Sequence, residues 1–311
     1  MKKRLIIGFV LLLISFIQFL FVGISVPPWF ILIFIYLFMI GGIAIFDAIT
    51  LKFYNRSLTH ILTKNKKNLL KFFLVSIIGT LLIEVIAHWF GKLWIYPSWN
   101  YLIYFVFAFT GFVLYWLFIV GSYLSTKAVI DYFRKGKKYV TKSFRWESKF
   151  FKVLGIVGII LLIISSFLVY FYYTNQSMPF VQLGDLFQKT SSYVLPYSVI
   201  LLFVLSLWFI LEYLQYKFKK TSLIKDIIHG HFTPFLSIII GSFLFAIIVE
   251  IQNFVYYVWL YINWPLEEII FLSLPMTMFL AWPLHYIIFL SLWRAFTDEQ
   301  SEEVWKGDLI K

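Results

Sequence analysis

The chain has 311 residues, of which 61% are apolar, 22% are aromatic and only 14% are charged. Soluble domains carry about 25% charged residues, so this chain has too little polar surface for a fold surrounded by water. The absence of cysteine excludes disulfides, thiolate metal sites and cysteine nucleophiles. The composition therefore predicts an all-α polytopic membrane protein.

Eight apolar runs are each long enough, at about 20 residues, to cross a bilayer as a helix. They lie near residues 5–25, 29–50, 72–93, 100–124, 153–173, 193–213, 235–260 and 266–293. The first run follows Lys2, Lys3 and Arg4 and resembles a secretory signal, but it is too long for one and lacks a convincing cleavage site. We expect it to be a retained first span.

The basic residues lie almost entirely at one set of span ends. With eight spans, all lysines and arginines except Lys92 and Lys189 fall on the same side. This bias predicts a multi-pass protein of the cell membrane with both termini in the cytoplasm. It also accounts for the net charge of +12 through anionic lipid headgroups, so we expect the lipid bilayer as partner and no nucleic acid.

A segment of the first half recurs in the second half at an offset of 165 or 166 residues. The recurring residues are acidic, basic, small polar or aromatic: Asp47 with Glu212, Lys52 with Lys217, Ser57 with Ser222, Glu84 with Glu250, Trp94, Tyr96 and Trp99 with Trp259, Tyr261 and Trp264, and Trp116 with Trp282. The repeat predicts a four-helix unit at 1–130, a basic cytoplasmic linker at 131–152, a second four-helix unit at 153–295 and an acidic cytoplasmic tail at 296–311. Because four spans return the chain to its starting side, the two units should be parallel and should enclose a central cavity.

Two paired acids, Glu84 and Glu250, lie inside predicted spans. A charge at the bilayer centre costs at least about 2.5–3.5 kcal/mol, so these carboxyl groups need partners, water or protonation. They are either structural hydrogen bonds between helices or functional acids. His88 follows Glu84 by one helical turn, but Phe254 occupies the equivalent position, so we expect a hydrogen-bonded histidine and no metal site.

Aromatic residues recur with the same spacing, Trp-x-Tyr-x-x-Trp, after each of these glutamates. Such residues are typical of the interfacial belt of membrane proteins. Their repetition also suits a second interpretation, in which the glutamates and the aromatic residues form the floor and the lid of one cavity.

A local motif, Pro265-Leu266-Glu267-Glu268, occurs only in the second half. Proline and acidic residues favour a helix N-terminus, so we expect this motif to open the eighth helix. With Glu250, Trp259, Tyr261 and Phe271, it resembles the lycopene cyclase domain of membrane-embedded carotenoid cyclases. The resemblance covers residues 250–271 well, and 84–99 only through the acid and the aromatic residues.

The resemblance implies proton-initiated cyclisation of a carotenoid or another apolar isoprenoid. The chemistry needs an acid to protonate a double bond, aromatic faces to stabilise the carbocation and a base to remove a proton. The implied catalytic residues are Glu84, Glu250, Glu267 and Glu268, with donation assigned to Glu250 or Glu268. The implied substrate-binding residues are His88, Trp94, Tyr96, Trp259, Tyr261 and Trp264.

Two other functions fit the same residues. Paired intramembrane acids also suit a transporter that uses Glu84 and Glu250 as proton or cation sites. A non-catalytic assembly or lipid-interaction protein is the third interpretation. The sequence contains no nucleotide-binding loop or dinucleotide fingerprint, so we expect no cofactor, and it leaves the substrate and the oligomeric state open.

Overall fold

The computed structural model describes residues 1–21, 26–97, 99–134, 144–175, 195–254, 258–266, 268–271 and 274–296. Within these residues the α-helices are α1 (Lys2–Ser15), α2 (Pro28–Tyr54), α3 (Leu58–Lys64), α4 (Lys66–Ile83), α5 (Tyr101–Val106), α6 (Phe112–Phe133), α7 (Glu147–Asn175), α8 (Tyr197–Lys217), α9 (Leu223–Ile228), α10 (Thr233–Phe254) and α11 (Met278–Phe296). A 3-10 helix, Phe16–Phe21, extends α1. Two π-helical segments, Glu84–Phe90 and Phe107–Gly111, extend α4 and join α5 to α6.

Eight of these helical stretches are long and apolar enough to cross a membrane. They cover Lys2–Phe21, Pro28–Tyr54, Lys66–Phe90, Tyr101–Phe133, Glu147–Thr174, Tyr197–Lys217, Thr233–Asn253 and Met278–Phe296. The predicted eight spans and the all-α class are therefore confirmed, and the chain is a multi-pass membrane protein. The fourth span runs to Phe133 and the fifth begins at Glu147, so helix extends into both ends of the predicted linker.

The start of the eighth span was predicted wrongly. The helix begins at Met278, and the motif at Pro265 lies in a turn followed by a short hairpin in which β3 (Ile270–Phe271) pairs with β4 (Leu274–Pro275). Leu266 adopts a left-handed backbone with φ of 56°, which interrupts any helix starting at Pro265. The apolar character of this stretch suits a hairpin as well as a helix, because composition alone does not separate the two.

Short polar residues start several of the helices. Ser57, Asn65, Asn100 and Ser222 each accept a hydrogen bond from a backbone N–H of the first turn that follows. These caps satisfy donors that a helix leaves unpaired at its N-terminus. Asn55 ends α2 in the left-handed region, a conformation that asparagine tolerates better than most residues.

The helices pack around a central group made by α6, α10 and α11. Helix α6 contacts α2 and α10, and α11 contacts α4, α8 and α10. In the most apolar window of the eighth span 61% of residues are buried, against 17% in the first and fifth spans, so α1 and α7 are peripheral. The Trp116 ring stacks on Phe289 with centroids 3.8 Å apart, at the contact between α6 and α11.

Candidate functional site

An apolar cavity of about 150 Å³ lies between the third, fourth, seventh and eighth spans, with a contribution from α2. Its walls are mainly aromatic and include Trp94, Tyr96, Trp259, Tyr261 and Trp264. Thr80, Glu84, Gln252, Asn253 and His285 also line it. A cavity of this volume holds about one benzene-sized ring, so it suits the end of a long apolar molecule.

A short antiparallel ladder closes the cavity on one side. In this ladder β1 (Trp94–Ile95) pairs with β2 (Leu260–Tyr261), with Trp94 opposite Tyr261 and Ile95 opposite Leu260. The indole Nε1 of Trp264 donates to the Leu93 carbonyl at 2.7 Å, and the Asn263 amide donates to the Lys92 carbonyl at 2.9 Å. The loops after the third and seventh spans are thus joined to each other, and they place the two Trp-x-Tyr motifs side by side.

Glu84 lies at the first residue of the π-helical segment and lines the cavity. Its Oε2 is 2.6 Å from His88 Nδ1 and accepts from the Tyr104 hydroxyl at 2.9 Å. Its Oε1 accepts from the Tyr96 hydroxyl at 3.2 Å, and Tyr96 in turn accepts from Trp94 Nε1 at 3.2 Å. The predicted hydrogen bond between Glu84 and His88 is therefore present. π-helical turns often occur at functional sites, which fits the position of this acid.

Glu250 has a closely similar set of partners in the second half. Its Oε1 accepts from the Tyr261 hydroxyl at 2.5 Å and from Trp259 Nε1 at 3.3 Å, and Oε2 accepts from Asn253 at 3.2 Å. Trp259 Nε1 also donates to the Tyr261 hydroxyl at 2.9 Å. Glu250 lies behind Tyr261, Trp259 and Asn253, which face the cavity. It reaches the cavity through their hydrogen bonds.

The two tyrosines of the Trp-x-Tyr motifs remain phenols. Burial raises the pKa of Tyr96 and of Tyr261 well above the usual value near 10, and the negative charge of the adjoining glutamate acts in the same direction. Both hydroxyl groups therefore donate to their carboxyl partners throughout the physiological pH range. This arrangement links each acid to the aromatic wall.

The eighth span supplies a histidine to the opposite wall. The His285 ring lies 4.2 Å from Phe289 and 5.7 Å from Trp282, measured between ring centroids. His285 also lines a second apolar cavity of about 90 Å³, which shares Trp94, Trp264 and Ala281 with the first. The two cavities are therefore neighbours that share part of their walls.

The other pair of recurring acids lies at helix ends outside the cavity. Asp47 forms an ion pair with Arg4 at 2.7 Å and accepts from the backbone N–H of Thr59 at 3.3 Å. Glu212 accepts from the Ser222 hydroxyl and, at 3.1 Å, from the backbone N–H of Ile224. Each acid therefore binds the start of the short helix that follows its span, which is a structural role.

The structure brings most of the predicted site residues together. Glu84, Trp94, Tyr96, Trp259, Tyr261 and Trp264 line the cavity, and His88 and Glu250 lie directly behind its wall. Glu268 is solvent-exposed in the turn that follows Leu266, outside the cavity lining. Glu267 lies outside the described residues. Within the described part of the chain, no group of three His, Asp or Glu side chains is arranged to hold a metal ion.

Several residues of the candidate site were not predicted. Tyr104 and Tyr115 lie in the fourth span and reach the site only through helix packing, which no local pattern signals. Asn253, three residues after Glu250, has a recognisable signal because residues at this spacing share a helix face. Gln252 also has a recognisable signal, because it is a polar residue within an apolar run.

Comparison with known proteins adds no assignment to this geometry. No protein-family model, curated protein or solved structure matches the chain.

Proposed function

We propose that this protein uses Glu84 and Glu250 for proton-initiated cyclisation, or a related modification, of a carotenoid or another isoprenoid. The observation that carries the proposal is an acid–imidazole pair, Glu84 and His88, at the wall of an aromatic cavity between the apolar spans. The partial resemblance to lycopene cyclase domains points to the same chemistry. In such a reaction the substrate gains one proton and later loses one, so no oxidant is needed.

Glu84 is the better proton donor because it lines the cavity itself. A carboxyl and an imidazole nitrogen 2.6 Å apart share one transferable proton. The donated proton adds to a double bond, and the aromatic faces of Trp94, Trp259 and Trp264 stabilise the resulting cation. Glu250 then accepts the proton that is lost, through the Tyr261 hydroxyl. This assignment replaces Glu268, which is exposed, as donor.

The same proposal includes two parallel repeats of four spans. Matched contacts support it: Trp94, Tyr96 and Glu84 form the same hydrogen-bond chain as Trp259, Tyr261 and Glu250. Ile95 pairs with Leu260, the residue that corresponds to it at the repeat offset. An axis along the membrane normal would relate the two units and pass through the β1–β2 ladder. The basic span ends support a cell-membrane location with both termini cytoplasmic.

The test is pigment analysis of a lycopene-accumulating bacterial host that expresses the chain or its Glu84→Gln variant. General acids contribute about 10²–10⁴-fold to rates, so this variant should lower the yield of ring-containing carotenoids at least about 100-fold. Glu212→Gln is the matched control, because Glu212 is a buried acid outside the cavity. Unchanged lycopene with well-expressed parent protein would reject lycopene cyclisation.

Two further variants separate the assignments of the acids. Glu250→Gln should lower the yield as Glu84→Gln does, since both acids belong to the proposed reaction. Loss of product in Glu268→Gln but not in Glu84→Gln would return the donor role to the Pro265–Glu268 motif and contradict the assignment made from the cavity.

Proton-coupled transport is the second candidate, and a polar series in the central helices favours it. Arg294 donates to the Tyr123 hydroxyl at 2.9 Å, and Ser122 lies 2.7 Å from the Tyr286 hydroxyl, all buried between α6 and α11. Proton-gradient-dependent uptake by reconstituted vesicles, lost in Glu84→Gln, would favour transport over cyclisation.

A further inference from the structure

Within the described part of the chain, three residues in the wall of the main cavity carry buried polar atoms without a hydrogen-bond partner. They are Trp99 and Trp282, through their indole Nε1, and Gln252, through both side-chain atoms. Their exposed fractions are only 5%, 5% and 4%. His285 Nε2, in the same wall, is also unpaired. Four lining residues of one cavity therefore offer unused hydrogen-bonding groups.

These groups do not suit a ligand made only of carbon and hydrogen. Buried polar groups in native proteins are nearly always hydrogen-bonded, because an unpaired one loses its interaction with water and gains nothing. A hydrocarbon filling the cavity would seal Gln252 and both indoles away from any partner. A ligand with an oxygen atom at the buried end would instead pair with at least one of them.

The balance of donors and acceptors indicates the kind of oxygen. An indole N–H is a donor only, and the amide nitrogen of Gln252 adds two further donors, so donors outnumber the acceptor that Gln252 Oε1 supplies. A carbonyl oxygen accepts two hydrogen bonds and donates none, so it fits this set better than a hydrocarbon terminus. Trp282 stacks with His285, and Trp99 stacks with Tyr96 at 4.7 Å between centroids, which suits a flat conjugated group beside them.

The second cavity provides a place for the rest of such a molecule. Its lining is aliphatic apart from Trp94, Tyr197, Trp264 and His285, and it adjoins the main cavity at Ala281 and Ile83. An apolar chain attached to the buried carbonyl end would extend into it.

We propose that the physiological ligand of this cavity is an isoprenoid that carries a carbonyl oxygen at its buried end, and that this oxygen accepts hydrogen bonds from Gln252 and from the indole of Trp282. The inference deepens the proposed function, on which it rests for the isoprenoid skeleton alone. The acid chemistry at Glu84 remains compatible with it, because an isoprenoid ketone keeps the chain double bonds to which a proton can add.

The experiment measures binding without turnover. The full chain in detergent is titrated by native mass spectrometry with farnesylacetone, a linear isoprenoid ketone, and with farnesene, a hydrocarbon of the same type. The ketone should bind at least 10-fold more tightly to the parent protein. Gln252→Leu should reduce this preference to less than threefold, mainly by weakening ketone binding.

A second cavity variant and a control variant complete the binding experiment. Trp282→Phe keeps an aromatic side chain and removes the N–H donor, so it should lower the preference even if Gln252→Leu fails to fold. Gln215→Leu is the matched control, since Gln215 has an unpaired buried Oε1 outside the cavity, and it should keep the full preference. Equal binding of ketone and hydrocarbon by the parent, failure of the ketone to bind, or an unchanged preference in both cavity variants would overturn the proposal.

The result of the binding experiment does not depend on whether the protein cyclises lycopene. A ketone preference that depends on Gln252, together with unchanged lycopene in the pigment assay, would reject lycopene cyclisation and keep the ligand class. Ring-containing carotenoids together with equal binding of ketone and hydrocarbon would keep lycopene cyclisation and reject the carbonyl ligand.

Discussion

At the scale of single residues, the site depends on how two carboxyl groups are kept inside a membrane protein. Glu84 and Glu250 each receive hydrogen bonds from a tyrosine hydroxyl, and that tyrosine receives one from a tryptophan two residues before it. These donors offset part of the cost of taking a carboxyl out of water. The halves differ in the remaining partners, which are His88 and Tyr104 for Glu84 and Asn253 and Trp259 for Glu250. Only the first acid therefore has an imidazole as a partner.

The two buried tyrosines predict a loss of stability at alkaline pH. Burial raises the pKa of Tyr96 and Tyr261 in the folded protein above the value near 10 of the unfolded chain. The stabilisation that they contribute is complete below pH 10 and declines as pH rises toward the folded values. We expect the thermal midpoint of the parent to fall more steeply above pH 10 than that of the Tyr96→Phe/Tyr261→Phe double variant.

Thermal unfolding in detergent, followed by circular dichroism, measures this difference. Scans between pH 7 and pH 9 are the control, because there the two proteins should change in parallel. Equal slopes of the two proteins above pH 10 would contradict the effect of burial on these phenols.

At the scale of elements, close helix contacts place the fourth span beside the second and the seventh. Gly42 of α2 lies against α6 so closely that an added Cβ would be 2.2 Å from Cε2 of Phe118. Phe118 lines the cavity and contacts Phe245 of α10 with ring centroids 5.0 Å apart. A glycine in α2 therefore controls the position of a cavity residue in α6.

We expect Gly42→Ala to destabilise the protein by about 1–3 kcal/mol, since the new methyl group must displace the Phe118 ring. Gly121→Ala is the matched control at the same contact between α2 and α6, where the nearest atom to an added Cβ is 3.4 Å away. That variant should be neutral or more stable, by up to about 1 kcal/mol, because alanine favours helix. Denaturant or thermal unfolding compares the two, and an equal effect would argue against close packing at Gly42.

The β1–β2 ladder has a comparable role at the other end of the site. It turns the chain after the third and seventh spans back over the cavity, which brings Tyr96 and Tyr261 within hydrogen-bonding distance of the glutamates. A continuous helix would have carried the aromatic residues about 14 Å beyond the acids instead. Because of this turn, the aromatic residues of the two motifs lie in the wall of the cavity.

At the scale of the whole molecule, the two halves meet through α6 and α10, through α4 and α11, and through the β1–β2 ladder. Residues from both halves line the cavity, so neither half forms it alone. We expect residues 1–134 and 144–311, co-expressed as separate chains, to assemble and co-purify, because the covalent link between the fourth and fifth spans adds little beyond proximity.

Affinity purification through a tag on one half tests this assembly, with thermal stability compared to the intact chain. A split after Gly121, inside α6, is the control and should yield no complex, because it cuts a buried central helix. Failure of the two halves to co-purify would show that their contact is too weak to build the cavity without the connection.

The sequence by itself determined the number of spans and the helical class, and it indicated most residues of the candidate site, because a bilayer demands long apolar runs and makes every exception to them conspicuous. It also indicated that Glu84 and His88 would bond, since residues four apart share a helix face. Only the tertiary structure decided that Glu268 is exposed and that Glu250 lies behind Tyr261. It likewise added Tyr104, Tyr115 and Gln252 to the site. Those outcomes depend on where a helix ends and on which distant helices pack together, and no local pattern of residues encodes either.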